Sequence, residues 1–210
     1  MAGIQVDERM PDAHGGRRRS SRRSGSSKVW IVVLIVALVA AAAGGAYLLT
    51  KDDDSSNSGS AATALSDGLQ LVIQGKNDAA TAKFNAVLET EPNNKLALYN
   101  LGLIEQQANN PTSAEVRYRK VIAVDPNYAP ALYNLGIIVA DQGASADAID
   151  LYRRATVADP TFARAFLNLG LLLFDAGDKT GSAAALTKAV QLDPTLLSRI
   201  PAAYRPTPAA

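Results

Sequence analysis

From Ala61 onward, apolar residues recur at intervals of three and four in paired runs, and a short polar turn such as Gln142-Gly143-Ala144 or Ala176-Gly177-Asp178 splits each pair. Such spacing predicts helices joined by tight turns. A longer period overlies the short one. The stretch YNLGLIEQQANNPTSAEVRYRKVIAVDP (99–126) returns as YNLGIIVADQGASADAIDLYRRATVADP (133–160), and Pro92, Pro126, Pro160 and Pro194 each close a similar ending, LETEP, AVDP, VADP and QLDP. A fixed period of 34 residues marks one supersecondary unit stacked on copies of itself. The blocks are 61–94, 95–128, 129–162 and 163–196, and the expected fold class is all-α, a right-handed α-solenoid of about four helix–turn–helix units.

A different pattern precedes the blocks. VWIVVLIVALVAAAAGGAYLLT, residues 29–50, has no charge and no helical polar face. At the helical rise it spans ~33 Å, enough for a bilayer core of ~30 Å. A cleavable signal peptide also begins basic and offers small residues such as Ala43 and Ala46, but its apolar region is only ~7–15 residues. The length favours an uncleaved transmembrane helix. Residues 1–28, with HGGRRRSSRRSGSSK, are too poor in apolar groups to order and are read as a disordered basic leader. Arg17, Arg18, Arg19, Arg22, Arg23 and Lys28 precede the span, whereas Lys51-Asp52-Asp53-Asp54 follows it. The positive-inside rule then keeps the leader cytoplasmic and the helical blocks outside. Residues 51–60 form a flexible linker with a mean reach of ~17 Å. After the blocks, Pro194–Ile200 is expected to begin a short capping helix that Pro201 stops, and 201–210 is expected to be a loose tail.

Charge adds to this. The leader carries a net +4 and the part from Lys51 onward a net −3. A body of that sign lacks the clustered basic surface that phosphate neutralisation needs, so no nucleic-acid partner is expected. The chain has no cysteine, and its one histidine, His14, lies in the leader. Thiol chemistry, cysteine-bound zinc and His-based triads have no residues to use, so neither catalysis nor a cofactor or metal is expected. Asp141 and Asp175 fall at equivalent places in adjacent blocks and read as a solvated edge, not as an acid/base pair.

In the third block Leu132, Leu135, Gly136, Ala148, Tyr152, Ala155 and Pro160, and in the second Leu98, Leu101, Gly102, Ala114, Tyr118 and Pro126, resemble the tetratricopeptide repeat family at its preferred positions. The fourth block matches through Phe166, Leu169, Gly170, Ala189 and Pro194, with Ser182 and Leu186 where Ala and an aromatic are usual. The first is least typical, as a terminal cap is expected to be. Small residues at Gly102 and Gly136 let paired helices approach, and Tyr118 and Tyr152 are expected where the gap widens.

The resemblance implies a concave groove lined by the first helix of each unit. Carried onto this chain, one place holds Leu65, Tyr99, Tyr133 and Leu167, and the next Ser66, Asn100, Asn134 and Asn168. One turn on come Leu69, Leu103, Ile137 and Leu171, then Val72, Gln106, Ala140 and Phe174. Together with Arg164 this gives an apolar and aromatic strip beside a ladder of asparagines, suited to an extended protein or peptide segment. Two other readings stand beside it: the asparagines bond across neighbouring helices, or the strip is covered by a second copy or by the C-terminal tail. Arg164 alone, with Leu96 and Pro130 at the equivalent places, does not make the cationic clamp that some family members use for a C-terminal carboxylate. The expected function is a membrane-anchored scaffold that docks proteins outside the cytoplasmic membrane, with a bacterial origin suggested by the Ala- and Arg-rich composition. The alternative is an accessory subunit of an envelope biosynthesis or secretion complex that contacts glycan or an enzyme.

Overall fold

The computed structural model describes residues 58–204, so the leader, the apolar run and most of the linker lie outside the described residues, as do 205–210. Helices α1 (Ser58–Ile73) and α2 (Asn77–Thr90) form the first unit, α3 (Lys95–Gln107) and α4 (Pro111–Val124) the second, α5 (Ala129–Asp141) and α6 (Ser145–Ala158) the third, and α7 (Ala163–Asp175) and α8 (Lys179–Leu192) the fourth. Each helix packs on the next in sequence, within and between units, which is the contact pattern of an α-solenoid. Among the described residues there is no strand, and no helix is long and apolar enough to cross a membrane.

Each turn inside a unit places one residue in the left-handed region: Gly75 (φ 72°), Asn109 (60°), Gly143 (85°) and Gly177 (88°), one per period. The backbone N–H after it reaches back to the helix, as from Lys76 to the Leu71 carbonyl and from Ala144 to that of Val139 (2.9 and 3.1 Å). This closes the orphan carbonyls of the helix end, and glycine takes the conformation without the clash a Cβ brings. Asn110, with Pro111 behind it, caps α4 by accepting from the Ser113 N–H, and Asp178 caps α8 by accepting from Gly181 at 2.8 Å.

Within each unit the two helices meet at one glycine. A Cβ on Gly68 would stand 2.6 Å from the Phe84 ring, on Gly102 2.7 Å from Tyr118, on Gly136 2.6 Å from Tyr152, and on Gly170 2.6 Å from Leu186. The tyrosines therefore do not fill a wider part of the gap, as expected from the sequence; each ring lies on the glycine opposite. That is why the small residue and the large one recur together.

An aromatic seam recurs, joining the two helices of a unit to the start of the next. Tyr99 packs on Tyr118 (centroids 5.9 Å, planes at 46°) and on Tyr128 (5.3 Å), and one period on, Tyr133 packs on Tyr152 (5.8 Å, 46°) and on Phe162 (4.8 Å). A third copy has only aliphatic groups: Leu167, Leu186 and Leu196 share a cluster with Ile200. Leu196 lies in the 3-10 helix Pro194–Arg199, the expected cap, where Asp193 accepts from the N–H and hydroxyl of Thr195. The cap thus imitates the start of another unit and covers the last apolar face.

Two boundaries differ from expectation. Helix α1 begins at Ser58, inside the expected linker, and Ala202–Tyr204 form a further 3-10 turn where a loose tail was expected. The reason for the second is one side chain, Tyr204, whose ring stacks on Phe174 with centroids 3.9 Å apart.

Candidate functional site

The face built by α1, α3, α5 and α7 carries every residue expected to line a groove, and the structure divides them. Tyr99 is only 2% exposed and belongs to the core, so its expectation as a groove residue is corrected. Its ring is enclosed by Tyr118 and Tyr128, and burial pushes its phenol far above the ordinary tyrosine range. Leu103, on the same helix, is also buried. Tyr133 is half-buried between Tyr152 and Phe162; burial raises its pKa while the charges of Arg164 and Arg199 act against the rise.

The asparagine ladder is a device between units. Asn134 donates to the Tyr99 hydroxyl (3.2 Å) and Asn168 to that of Tyr152 (3.3 Å), and the same carboxamides act on the phenols of Tyr118 and Tyr133, partly offsetting the pKa rise that burial brings. Each therefore lies between two tyrosines of the preceding unit. Asn100 has Leu65 and Phe84 at those places and no phenol to meet. It is 3% exposed, turns back to donate to the Leu96 carbonyl (2.7 Å), and leaves its Oδ1 buried without a partner. The expectation that Asn100 faces a ligand is corrected accordingly. Tyr118 in turn donates to Gln106 at 2.9 Å.

What stays at the surface is narrower than the sequence suggested. Leu65, Leu69 and Val72 on α1, Ile137 and Ala140 on α5, and Leu171 and Phe174 on α7 are each partly exposed, as is Arg164 at the start of α7. Asp141 is solvated, as expected, whereas Asp175 accepts a hydrogen bond from Tyr204. Sequence reasoning missed Tyr128, Phe162 and Leu196, which close the seam; the signal was the same 34-residue spacing, one step before each first helix. No group of His, Cys, Asp and Glu that could hold a metal occurs among the described residues.

On the opposite side, the second helices bear a cleft of about 330 Å³ between α2 and α4, lined by Leu88, Glu89, Pro92, Leu98, Arg117 and Lys120 among others. Arg117 there pairs with Glu105 at 3.1 Å. Val116 and Val157 also stand on second helices, and Val157 is 76% exposed.

A family model for the tetratricopeptide repeat matches residues 68–115, 104–161 and 158–196. The chain belongs to the tetratricopeptide repeat family. Its tetratricopeptide domain is similar to the crystal structure of MamA, at 25% identity and a TM-score of 0.59 over 66% of this chain and 76% of that one. It also resembles Pseudomonas aeruginosa PilF (24%, TM-score 0.57, 66% of this chain and 63% of that one). YrrB, a tetratricopeptide protein with an unusual peptide-binding site, matches at 18% identity and a TM-score of 0.55 over 81% of this chain and 80% of YrrB. Among curated proteins no sequence match is found. Tetratricopeptide domains are interaction modules, and this one presents a partly apolar first-helix face.

Proposed function

We propose that the chain is a non-catalytic scaffold, anchored by residues 29–50 with its tetratricopeptide domain outside the cytoplasmic membrane, that docks extended protein segments along the first-helix face. The observation that carries the docking half is the strip of Leu69, Ile137 and Leu171, which remains partly exposed after Tyr99 and the asparagines have been used between units. An aliphatic strip with polar edges suits alternate side chains of an extended segment better than a sugar ring, whose hydroxyls an aliphatic surface leaves unpaired. The peptide-binding site of YrrB, on the same fold, supports this reading. The anchor half rests on the charge-free run and the arginines before it.

The external placement can be tested by a single introduced thiol because the chain has no cysteine. A single Ser198→Cys substitution should react with a membrane-impermeant maleimide in intact cells; labelling only after permeabilisation overturns the external placement. For docking, a photo-crosslinking residue at Ile137 should capture a defined partner that the same residue at Val157 does not. Equal capture at both positions, or capture at Val157 alone, moves the site to the second helices.

A further inference from the structure

Phe174 and Asp175 end helix α7 on the proposed docking face, at the places held by Ala140 and Asp141 in α5 and by Gln106 and Gln107 in α3. In the fourth unit these places meet a residue from beyond the cap. The ring of Tyr204 lies on Phe174 nearly parallel, at 3.9 Å and 20°, and its hydroxyl donates to the Asp175 carboxylate. An aromatic face beside a carboxylate is a complete small site for a phenol, since one group takes the ring and the other accepts the hydrogen bond of its hydroxyl.

The seat is also built to be vacated. Leu196 and Ile200, which close the core, are buried, whereas Pro201, Ala202 and Ala203 are exposed and Tyr204 itself is only partly covered. Lifting the segment from Pro201 onward therefore exposes one ring and leaves the cap in place. From this we infer that Tyr204 is a built-in occupant of a tyrosine-binding subsite at Phe174 and Asp175, and that a docking segment carrying a tyrosine must displace it. The inference rests on the first-helix face being the docking face. It adds the partner chemistry at one end, an aromatic residue with a hydrogen-bond donor, and a device that keeps the end closed until such a segment arrives.

A site that its own occupant fills about nine-tenths of the time shows an apparent affinity about tenfold below the intrinsic one, and removing the occupant restores it. The probe is the blocked hexapeptide of residues 201–206, PAAYRP, with 3-fluorotyrosine at its tyrosine, followed by fluorine NMR up to millimolar concentration. Full-length protein in detergent is compared with full-length Tyr204→Ala. The peptide signal should respond to Tyr204→Ala at about a tenth of the concentration needed with the parent, and that gain should vanish in Tyr204→Ala/Phe174→Ala. Equal response to parent and Tyr204→Ala, no response to either, or a gain that survives loss of Phe174 each overturns the proposal. Such a result leaves the docking face itself untouched, because the crosslinks at Ile137 and Val157 judge that separately; partner capture at Val157 with a displaceable Tyr204 separates the two the other way.

Discussion

The ring of Tyr152 on α6 lies against the α-carbon of Gly136 on α5 so closely that a methyl group there would meet ring carbon Cε1 at 2.6 Å. Contact at that distance needs the ring or a helix to move, and the ring also packs on Tyr133. Gly136→Ala should therefore destabilise the domain by about 1–3 kcal/mol, the usual cost of overpacking. Thermal unfolding followed by circular dichroism checks it; an unchanged midpoint means that the helix pair has slack the geometry does not show.

Tyr99→Ala should behave as a core truncation, with a loss of about 3–5 kcal/mol, as for other large aromatics removed from a packed interior. The removal leaves Tyr118 and Tyr128 without their shared neighbour and Asn134 without the hydroxyl that accepts its hydrogen bond. Val157→Ala, on a mostly exposed residue, serves as the control and should change stability by less than about 0.5 kcal/mol. Comparable melting points for the two variants would show that Tyr99 lies at the surface after all.

Alkaline pH should unfold the domain cooperatively. Burial raises the phenols of Tyr99, Tyr118 and Tyr152 above the ordinary range near 10, and the Tyr128 phenol is pushed up to about 12. A raised folded-state pKa favours the neutral form, so the unfolded chain loses its protons first. The associated stability is intact below pH ~10 and falls as pH rises toward the folded values, by up to about 1.4 kcal/mol per pH unit for each such tyrosine. Denaturant midpoints measured from pH 8 to 11.5 should be flat at first and then drop; a flat profile throughout contradicts buried neutral phenols.

Asn109 occupies the left-handed position that glycine holds in the other three turns. Asn109→Gly should be neutral or raise stability by up to about 1 kcal/mol, whereas Gly143→Ala should cost about 1–2 kcal/mol, because only the second forces a new Cβ into that conformation. Urea unfolding of the two variants distinguishes them by sign.

The sequence by itself determined the helical class, the 34-residue unit, the turns, the helix stops and the cap. Each depends on local chemistry: apolar residues three and four apart, glycine for a left-handed turn, proline where an N–H is dispensable. It also placed the glycines and tyrosines at fixed offsets, although which of them touch was decided by how the helices cross. Only the tertiary structure settled the fate of the groove residues. Tyr99 and Tyr133 share a place in the repeat, yet one is buried and the other half-buried, because each ring answers to a different neighbour, Tyr128 or Phe162. Asn100 and Asn134 are likewise equivalent in the pattern, but only Asn134 has tyrosines in the unit before it, so one turns back to its own helix and the other bonds across. A repeat pattern records the residue at each place; the partner it meets comes from the adjacent copy, and adjacent copies are where this chain departs from its own period.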